Sequence, residues 1–475
     1  MYDCVIIGAG IIGAAAAREL SRYRLKLLLI DKAEDVSCGA SKANSGIVHA
    51  GYDCEPGSLK AALNVEGARM YETLVRELDI PYRRNGSLVL CFDQKEGPAR
   101  LRALYDKGRK NGVAGLSLIS GGQARALEPN LSGEVTAALL AESAAVISPY
   151  EAVIAFAENA YTNGAEFIFN TEVTGIARLE DNFSIKTTGG DFVSRTVINA
   201  AGTESDTINN LVSPHKEEIY MQRGQYYLID KAHGNFVSRT IFQLPTMLGK
   251  GVLITSTVDG NLLVGPNAEN FRKNGESIPN ITDTTRQGLA EVCAKAARSA
   301  PNIPVRGTIT VFAGLRAKAG DEDFHVEEPV RGFVNALGID SPGLSAAPAI
   351  ARKAAGMVLA RLEPPFNPRF VGTRSHGARF AGLSFEEQAR LVERDSRYGH
   401  VVCRCETVTE GEIVDAIHRP LGARTLDGLK RRTRARMGRC QGGFCTIRLM
   451  EILSRELGIE EREVTISGKG SRIIL

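Results

Sequence analysis

The sequence predicts an α/β protein built in three parts. A glycine-rich strand–turn–helix–strand unit opens the chain. Alternating apolar runs fill its middle, and four of the nine cysteines cluster near its end. The remaining composition is that of a globular protein, with 43% hydrophobic and 24% charged residues over 475 positions; two to four domains are expected at this length. A net charge of +3 is too weak to point to nucleic acid. The longest apolar run, VIIGAGIIGAAAA, is too short to span a bilayer and is broken by glycines. No basic n-region or cleavage site precedes it, so a cytoplasmic location is expected. Cysteines there are rarely structural disulfides.

The first unit is YDCVIIGAGIIGAAAARELSRYRLKLLLIDK. Val5 to Ile7 form an apolar strand that ends in Gly8-Ala9-Gly10-Ile11-Ile12-Gly13. Ala14 to Leu20 are strong helix formers, and LKLLLI is a second strand ending at Asp31. This is the dinucleotide fingerprint in the context it requires. Gly8 permits the sharp turn, Gly10 clears space for a pyrophosphate, and Gly13 lets the helix pack on the strand. Asp31 is placed to accept the ribose hydroxyls, and the helix N-terminus faces the phosphates. The alternative is a tight turn with no ligand. Two distant segments bear on which nucleotide binds. RTVINAAG (Arg195 to Gly202) is an apolar strand running into a glycine turn. NALGIDSPGLSAAPAIARKAAGMVLARL (Asn335 to Leu362) reads as strand, loop and alanine-rich helix starting near Ser345. A nucleotide domain assembled from three distant segments favours a large, buried FAD over a dissociable NAD.

With these segments, the chain resembles the FAD-dependent glycerol-3-phosphate dehydrogenase/oxidase family, relatives of the L-2-hydroxyglutarate dehydrogenases. The resemblance covers roughly residues 1 to 365. It rests on GAGIIG, SKANSGIVHAGYDCEPGSLKA, NAAG, RGQYYLID, LPTMLGKGVLITSTVDGNLLVGPNA, FAGLRA and DSPGLSAAPAI. It implies a Rossmann-like FAD-binding domain plus an antiparallel-sheet substrate domain. The implied cofactor contacts are Gly8, Gly10, Ile12, Gly13, Asp31, Lys32, Ser41, Asn44, Ser45, Val173 (by its backbone, at adenine), Ala201, Gly202, Gly314, Gly343, Leu344 and Ser345. The tail, roughly 396 to 455, resembles the ferredoxin-like [2Fe-2S] domain of the bacterioferritin-associated type, which implies a small, mainly helical iron–sulfur domain. The large subunit of anaerobic glycerol-3-phosphate dehydrogenases is similar in carrying both parts.

Oxidation of a secondary alcohol by flavin needs a proton acceptor and a grip on the anionic end of the substrate. His49, in SGIVHAG, is the candidate base; a hydrogen-bonded core histidine is the alternative. Arg316, in VFAGLRAKAG, is the candidate anion clamp, because a guanidinium grips phosphate or carboxylate with two bonds. Lys250, between two glycines, is a second cation for catalysis and substrate binding, with a surface lysine as the alternative. Ser341 is expected to contact substrate or flavin, or else to make a local turn bond.

The domain plan follows. Residues 1–80, 145–215 and 330–365 form the FAD-binding domain. Residues 81–144 and 216–329 form the substrate domain, where GQYYLI, GVLITSTV and NLLVGP read as antiparallel strands. LEPPFNPRF ends the long helix and opens a linker, 366–395. The iron–sulfur domain is 396–455, and a tail runs from 456 to 475.

Cys403 and Cys405 form C-x-C, and Cys440 and Cys445 follow after a gap of 34 residues as C-x4-C. The spacing matches neither the two-cluster bacterial nor the plant-type ferredoxin pattern. It does match the bacterioferritin-associated type by resemblance. Zinc is the rival, although C-x-C is short for a zinc pair. Gly442 and Gly443 allow a tight turn with amides aimed at sulfur, and a helix from Thr446 turns its positive end to the cluster. Thr409 and Glu412 read as a capping box. Between the pairs, Lys430 to Arg439 is strongly basic, either a solvated helix face or a docking patch for an acidic partner.

The expected activity is oxidation of sn-glycerol 3-phosphate to dihydroxyacetone phosphate, with electrons leaving through a [2Fe-2S] cluster to a partner subunit or quinone pool. Alternatives are a 2-hydroxy acid dehydrogenase such as one for L-2-hydroxyglutarate, a peroxide-forming oxidase, and a non-catalytic iron-sensing protein. Any membrane contact is expected through a separate subunit.

Overall fold

The computed structural model describes residues 1–244, 251–271, 278 and 280–474. The first strand, Tyr2–Ile7, lies at the centre of an eight-stranded sheet. It pairs in parallel with Leu27–Ile30 on one side and Gly190–Asn199 on the other. Phe333–Leu337 adds in parallel beyond Gly190–Asn199, and Glu166–Ile168 beyond Leu27–Ile30. Val5–Ile7, Leu27–Ile30 and Val197–Ile198 are apolar and buried at the middle of this sheet, because helices cover one face and the strand meander the other. The helices Ile11–Ser21, Pro149–Thr162 and Gly343–Leu362 share one alanine-rich core with the sheet. Alanines let these backbones approach closely, so the helices Ile11–Ser21 and Gly343–Leu362 pack together although they lie far apart in the sequence.

The second sheet has nine strands. Tyr220–Ile229 is its longest-paired strand, antiparallel to Thr308–Lys318 along its length, with Gln222 opposite Arg316 and Gly224 opposite Gly314. Leu253–Ser256 and Leu262–Gly265 form the antiparallel strands predicted from GVLITSTV and NLLVGP. One pairing is parallel, Thr240–Gln243 against Ser87–Cys91, where the strand from the 81–144 segment joins those from 216–329. A small three-stranded sheet, Ile47–Val48, Ala145–Ile147 and Tyr82–Arg83, lies at the junction.

Beyond the long helix, the chain runs in extended form back over the first domain. Arg374 bonds Glu158 (2.6 Å) and the Leu78 carbonyl (3.0 Å), while the Val371 and Thr373 carbonyls accept from Asn159. The segment expected to be a linker also holds a helix, Phe385–Arg394, capped reciprocally by Ser384 and Glu387. The C-terminal unit has its own core. It contains a two-stranded ladder, Val401–Cys403 with Val408–Thr409, and the helices Glu410–His418, Leu426–Thr433 and Thr446–Leu457. Thr409 and Glu412 form the expected capping box. No helix among the described residues is long and apolar enough to cross a membrane.

Candidate active site and cysteine centre

A cleft of about 410 Å³ runs along the C-terminal ends of the parallel strands and on to the edge of the second sheet. At one end lies Asp31. Its Oδ2 accepts from the Ala9 amide (2.6 Å) and its Oδ1 from the Ala33 amide (2.8 Å). Burial pushes the Asp31 carboxyl up, against these two donors. Each oxygen keeps a lone pair for a ribose hydroxyl. Lys32 and Val173 line the same end. In the middle, Gly8 has φ +106°, and a Cβ there would meet the Ala200 carbonyl at 2.4 Å. A Cβ on Gly13 would come within 1.9 Å of the Gly8 carbonyl, so the helix can seat on the strand only with glycine there. Gly13 thus acts behind the wall, whereas Gly8, Gly10 and Ile12 line the cleft. The first helix begins at Ile11, whose amide donates to Ser41 Oγ (3.0 Å).

At the far end the two sheets meet. Asn44 locks its loop by donating to the Ala40 and Ser41 carbonyls and accepting from the Gly46 amide. Gly314 lets the strand of the second sheet press onto this loop, because a Cβ there would lie 1.8 Å from the Ala43 carbonyl. Ser41, Asn44, Ser45, Gly314, Gly343, Leu344 and Ser341 all face the cleft, as do Ala201 and Gly202. The helix Gly343–Leu362 starts here without a side-chain cap, so its first amides are open to a partial negative charge. The loop before it is pinned by Lys60 Nζ on Asp340 (2.7 Å), a nearly buried pair.

His49, just beyond the strand Ile47–Val48, and Arg316, on the second sheet, both line this cleft. The His49 amide donates to Ser345 Oγ (2.8 Å), and Ser345 donates to the Ile47 carbonyl (3.2 Å). Ser345 is fully buried, so its hydroxyl holds the histidine segment onto the last helix and does not line the cleft. The imidazole lies 5.7 Å from the Phe242 ring. Arg316 Nη1 donates to Gln222 Oε1 (2.7 Å), its cross-strand partner. The Tyr226 hydroxyl bonds both Arg316 and Ser45, while its ring stacks on Phe312 at 4.8 Å. Two of the five guanidinium donors are thereby used for aim, and the rest are available to an anion. Sequence reasoning missed Tyr226: its strand period was readable, but not the cross-sheet register that turns it to Arg316. Lys250 lies outside the described residues.

The four clustered cysteines converge in the C-terminal unit. The Cys403 and Cys445 thiols pair with each other, as do those of Cys405 and Cys440. The bond from Cys445 lowers the Cys403 thiol to about 6, while Cys445 itself is pushed up. Backbone amides supply the rest of the cradle. Those of Phe444, Gly442 and Gly443 point at Cys440, and that of Arg436 reaches Cys403 and Cys445. Four thiols with amide donors around them suit an anionic cluster of iron and sulfide. No disulfide forms among the nine cysteines.

Most of the basic stretch is neither solvated nor free for a partner, Arg439 being the exposed exception. Arg432 grips Asp35 with two bonds (2.6 and 2.8 Å), and Arg431 adds a third (3.0 Å); all three side chains are buried. Burial alone would raise the Asp35 carboxyl, but the two guanidiniums override it and hold it below the usual range. Arg431 also reaches Cys38 Sγ (3.6 Å), and Cys38 lines the cleft. Farther along, Arg434 joins Glu406 (2.8 Å) to Asp259 (2.6 Å), and Arg439 pairs with Asp230 (3.0 Å). The acidic partner of this stretch is the rest of the same chain.

Comparison with known proteins gives the same two parts. Residues 3–357 match the family model described as FAD dependent oxidoreductase. The chain belongs to that family. Residues 401–455 match the BFD-like [2Fe-2S] binding domain, which decides between iron–sulfur and zinc. The chain is 47% identical over its whole length to a glycerol 3-phosphate dehydrogenase of Caloramator mitchellensis, covering 98% of that protein. It is 31% identical to a glycerol 3-phosphate oxidase of Mycoplasma pneumoniae, over 78% of this chain and 98% of the relative. A structure of L-alpha-glycerophosphate oxidase from Mycoplasma pneumoniae with FAD bound superposes with a TM-score of 0.74 at 29% identity, over 78% of this chain and 98% of that one. The family's members are FAD-dependent oxidoreductases, and the cleft fits that cofactor. It offers a ribose acceptor, an amide-lined phosphate turn and a second helix N-terminus, in order along one groove.

Proposed function

We propose that the chain oxidises sn-glycerol 3-phosphate to dihydroxyacetone phosphate, and that the electrons leave through the C-terminal cluster to a partner protein. The observation that carries this reading is the joint presence, in one FAD-type cleft, of His49 and an Arg316 aimed by Gln222 and Tyr226. The full-length likeness to a glycerol 3-phosphate dehydrogenase supports the substrate. The oxidase relative covers 78% of this chain, whereas the dehydrogenase relative covers all of it, the four-cysteine domain at 401–455 included. This favours a dehydrogenase over an oxygen-consuming enzyme.

Arg316 binds the phosphate and so turns the C2 hydrogen of the substrate toward the cofactor. A His49 ring nitrogen takes the C2 hydroxyl proton as the hydride departs. Bound FAD supplies a two-electron acceptor that can be emptied one electron at a time, which suits a one-electron cluster. Asp31, Lys32 and the Val173 backbone hold the adenosine end. Gly8, Gly10 and the first helix hold the phosphates, while Ser41, Asn44, Ser45, Gly314, Ser341, Gly343 and Leu344 surround the ring system.

Anaerobic mixing with sn-glycerol 3-phosphate, L-2-hydroxyglutarate and glycerol tests the substrate. Bleaching of the flavin band is expected with the first only. Bleaching by L-2-hydroxyglutarate alone would replace the substrate. For the electron route, Cys405→Ser should leave bleaching intact and abolish the reduced-cluster signal. Fast peroxide production by the intact protein would refute the dehydrogenase reading.

A further inference from the structure

We propose that Asn64 sets which nitrogen of His49 carries the proton, through one water seated behind the imidazole; this rests on His49 being the base. A pocket of about 20 Å³ adjoins the histidine, walled by Tyr52, Asp53, Cys54, Asn64, Phe242 and Gln243 among others. Among the described residues, His49 alone lines both this pocket and the cleft, so its ring stands between them. A space of that size admits one water. An imidazole that takes a hydroxyl proton needs its other nitrogen held as an N–H donor, because that keeps the bare lone pair on the substrate side.

Asn64 is the wall residue with an acceptor to spare. It is 1% exposed, and its Oδ1 has no hydrogen-bond partner in the protein. A buried carbonyl oxygen of this kind destabilises the fold unless water reaches it. Asparagine is also a poor helix former, yet Asn64 sits inside the helix Leu59–Glu77. Gln243, by contrast, commits its Nε2 to the Lys295 carbonyl (2.7 Å) and Ser299 Oγ (2.9 Å). The frame around Asn64 is rigid. Asp323 accepts from the Leu59 and Lys60 amides at the start of its helix (2.9 and 2.8 Å). Gly67 lets that helix press on the last one, since a Cβ there would lie 2.3 Å from the Ser345 carbonyl. Ser345 in turn holds the His49 amide. One helix pair therefore fixes both ends of the relay. The pocket-side N–H of the imidazole donates to the water, and the water donates to Asn64 Oδ1. The opposite nitrogen keeps its lone pair in the cleft and takes the C2 hydroxyl proton there. The relay itself gains and loses no proton. The titratable groups around the ring are Tyr52, Asp53 and Cys54 in the pocket, and Arg316, Tyr226 and Asp340 in the cleft, the last paired with Lys60. None of them changes with residue 64, so a shifted pH profile in its variants reports the relay.

The test uses the oxidised FAD-loaded protein with nitrogen-15 in its histidines, the His49 signals being those that His49→Asn removes. In the wild type, above the pH at which the ring gains its second proton, one ring nitrogen should be protonated and the other bare. Asn64→Leu should mix the two tautomers. It should also slow anaerobic bleaching by sn-glycerol 3-phosphate on the order of tenfold, and move to lower pH the limb where bleaching fails as His49 gains a proton. Asn64→Asp keeps an acceptor and adds a negative charge, so it should hold the tautomer and move that limb up by about one unit. If Asn64→Leu does not fold, the Asn64→Asp limb decides alone. Slower bleaching in Asn64→Leu with tautomer and limb unchanged would show a packing role and overturn the relay. An Asn64→Asp profile that coincides with the wild type would overturn it too. So would loss of the tautomer in Asp53→Asn but not in Asn64→Leu, since Asp53 would then hold the proton. Normal bleaching in His49→Asn would instead refute His49 as the base.

Discussion

Replacing Asp35 with asparagine tests how the C-terminal domain is held. In the wild type, one carboxylate receives bonds of 2.6, 2.8 and 3.0 Å from two guanidiniums. The Arg431 and Arg432 side chains are 4% and 0% exposed. Asparagine keeps the shape but leaves two buried positive charges without their counter-charge. Losing one partner of a buried ion pair costs about 3–5 kcal/mol. Because about 1.4 kcal/mol is a factor of ten, the docked state should lose about two to three and a half decades of its equilibrium advantage. Hydrogen exchange across 426–433 reads this directly, and should accelerate by that factor at neutral pH. In the FAD-loaded protein, substrate should still bleach the flavin at the wild-type rate, while reduction of the cluster slows. Adding Arg432→Met should recover much of the loss, since it removes an orphaned charge. The carboxyl is held low, so the contribution is present above its ordinary unfolded value and fades as pH falls through the folded one. A change under about 1 kcal/mol, or flavin bleaching that slows as much as cluster reduction, would refute the clamp.

Three further outcomes are expected. His49→Asn should retain FAD but slow substrate bleaching of the flavin by about 10²–10⁴-fold, the usual range for removing a general base; near-normal stopped-flow rates would exclude it from that role. Arg316→Met should raise the substrate Kd about a hundredfold in anaerobic titration, from the loss of charge-assisted bonds, with the flavin spectrum unchanged. His376, at the junction of the two parts, is depressed to about 3 by burial first and then by Arg379, Arg419 and Arg374; it also faces Glu151 and the Arg432 carbonyl. A histidine held neutral contributes stability above its ordinary 6.5 that is lost as pH falls toward 3, up to ~5 kcal/mol. His376→Gln should therefore flatten the acid side of a denaturation-midpoint profile, and an unchanged slope would remove it as the cause.

What was legible in the sequence was what is decided locally. The fingerprint needs one strand, one turn and one helix, all within the first 31 residues, and Gly8 (φ +106°) and Gly13 (against the Gly8 carbonyl) each have a local reason. The capping box at Thr409 and the strands of the second sheet were readable for the same reason. The family resemblance named Ser41, Asn44 and Ser45, which composition could not. Contacts that join distant parts were not legible. Tyr226 reaches Arg316 only through the register of two strands some ninety positions apart. Arg431 and Arg432 find their counter-charge almost four hundred positions upstream, so their stretch looked like a solvated face. Ser345 reads as a wall residue from its motif, yet its hydroxyl is spent on the backbone of the histidine segment.

Asp35 and Cys38 belong to the short segment that goes on to form the cleft wall at Ser41, Asn44 and Ser45. One face of that segment meets the cofactor, and the other receives the guanidiniums of the C-terminal domain. Two binding events that order the same segment are reciprocally linked, each raising the affinity of the other by the same factor. Cofactor retention and cluster-domain seating then form a single assembly equilibrium. A substitution that loosens the C-terminal domain at Asp35 should therefore also weaken the hold on FAD.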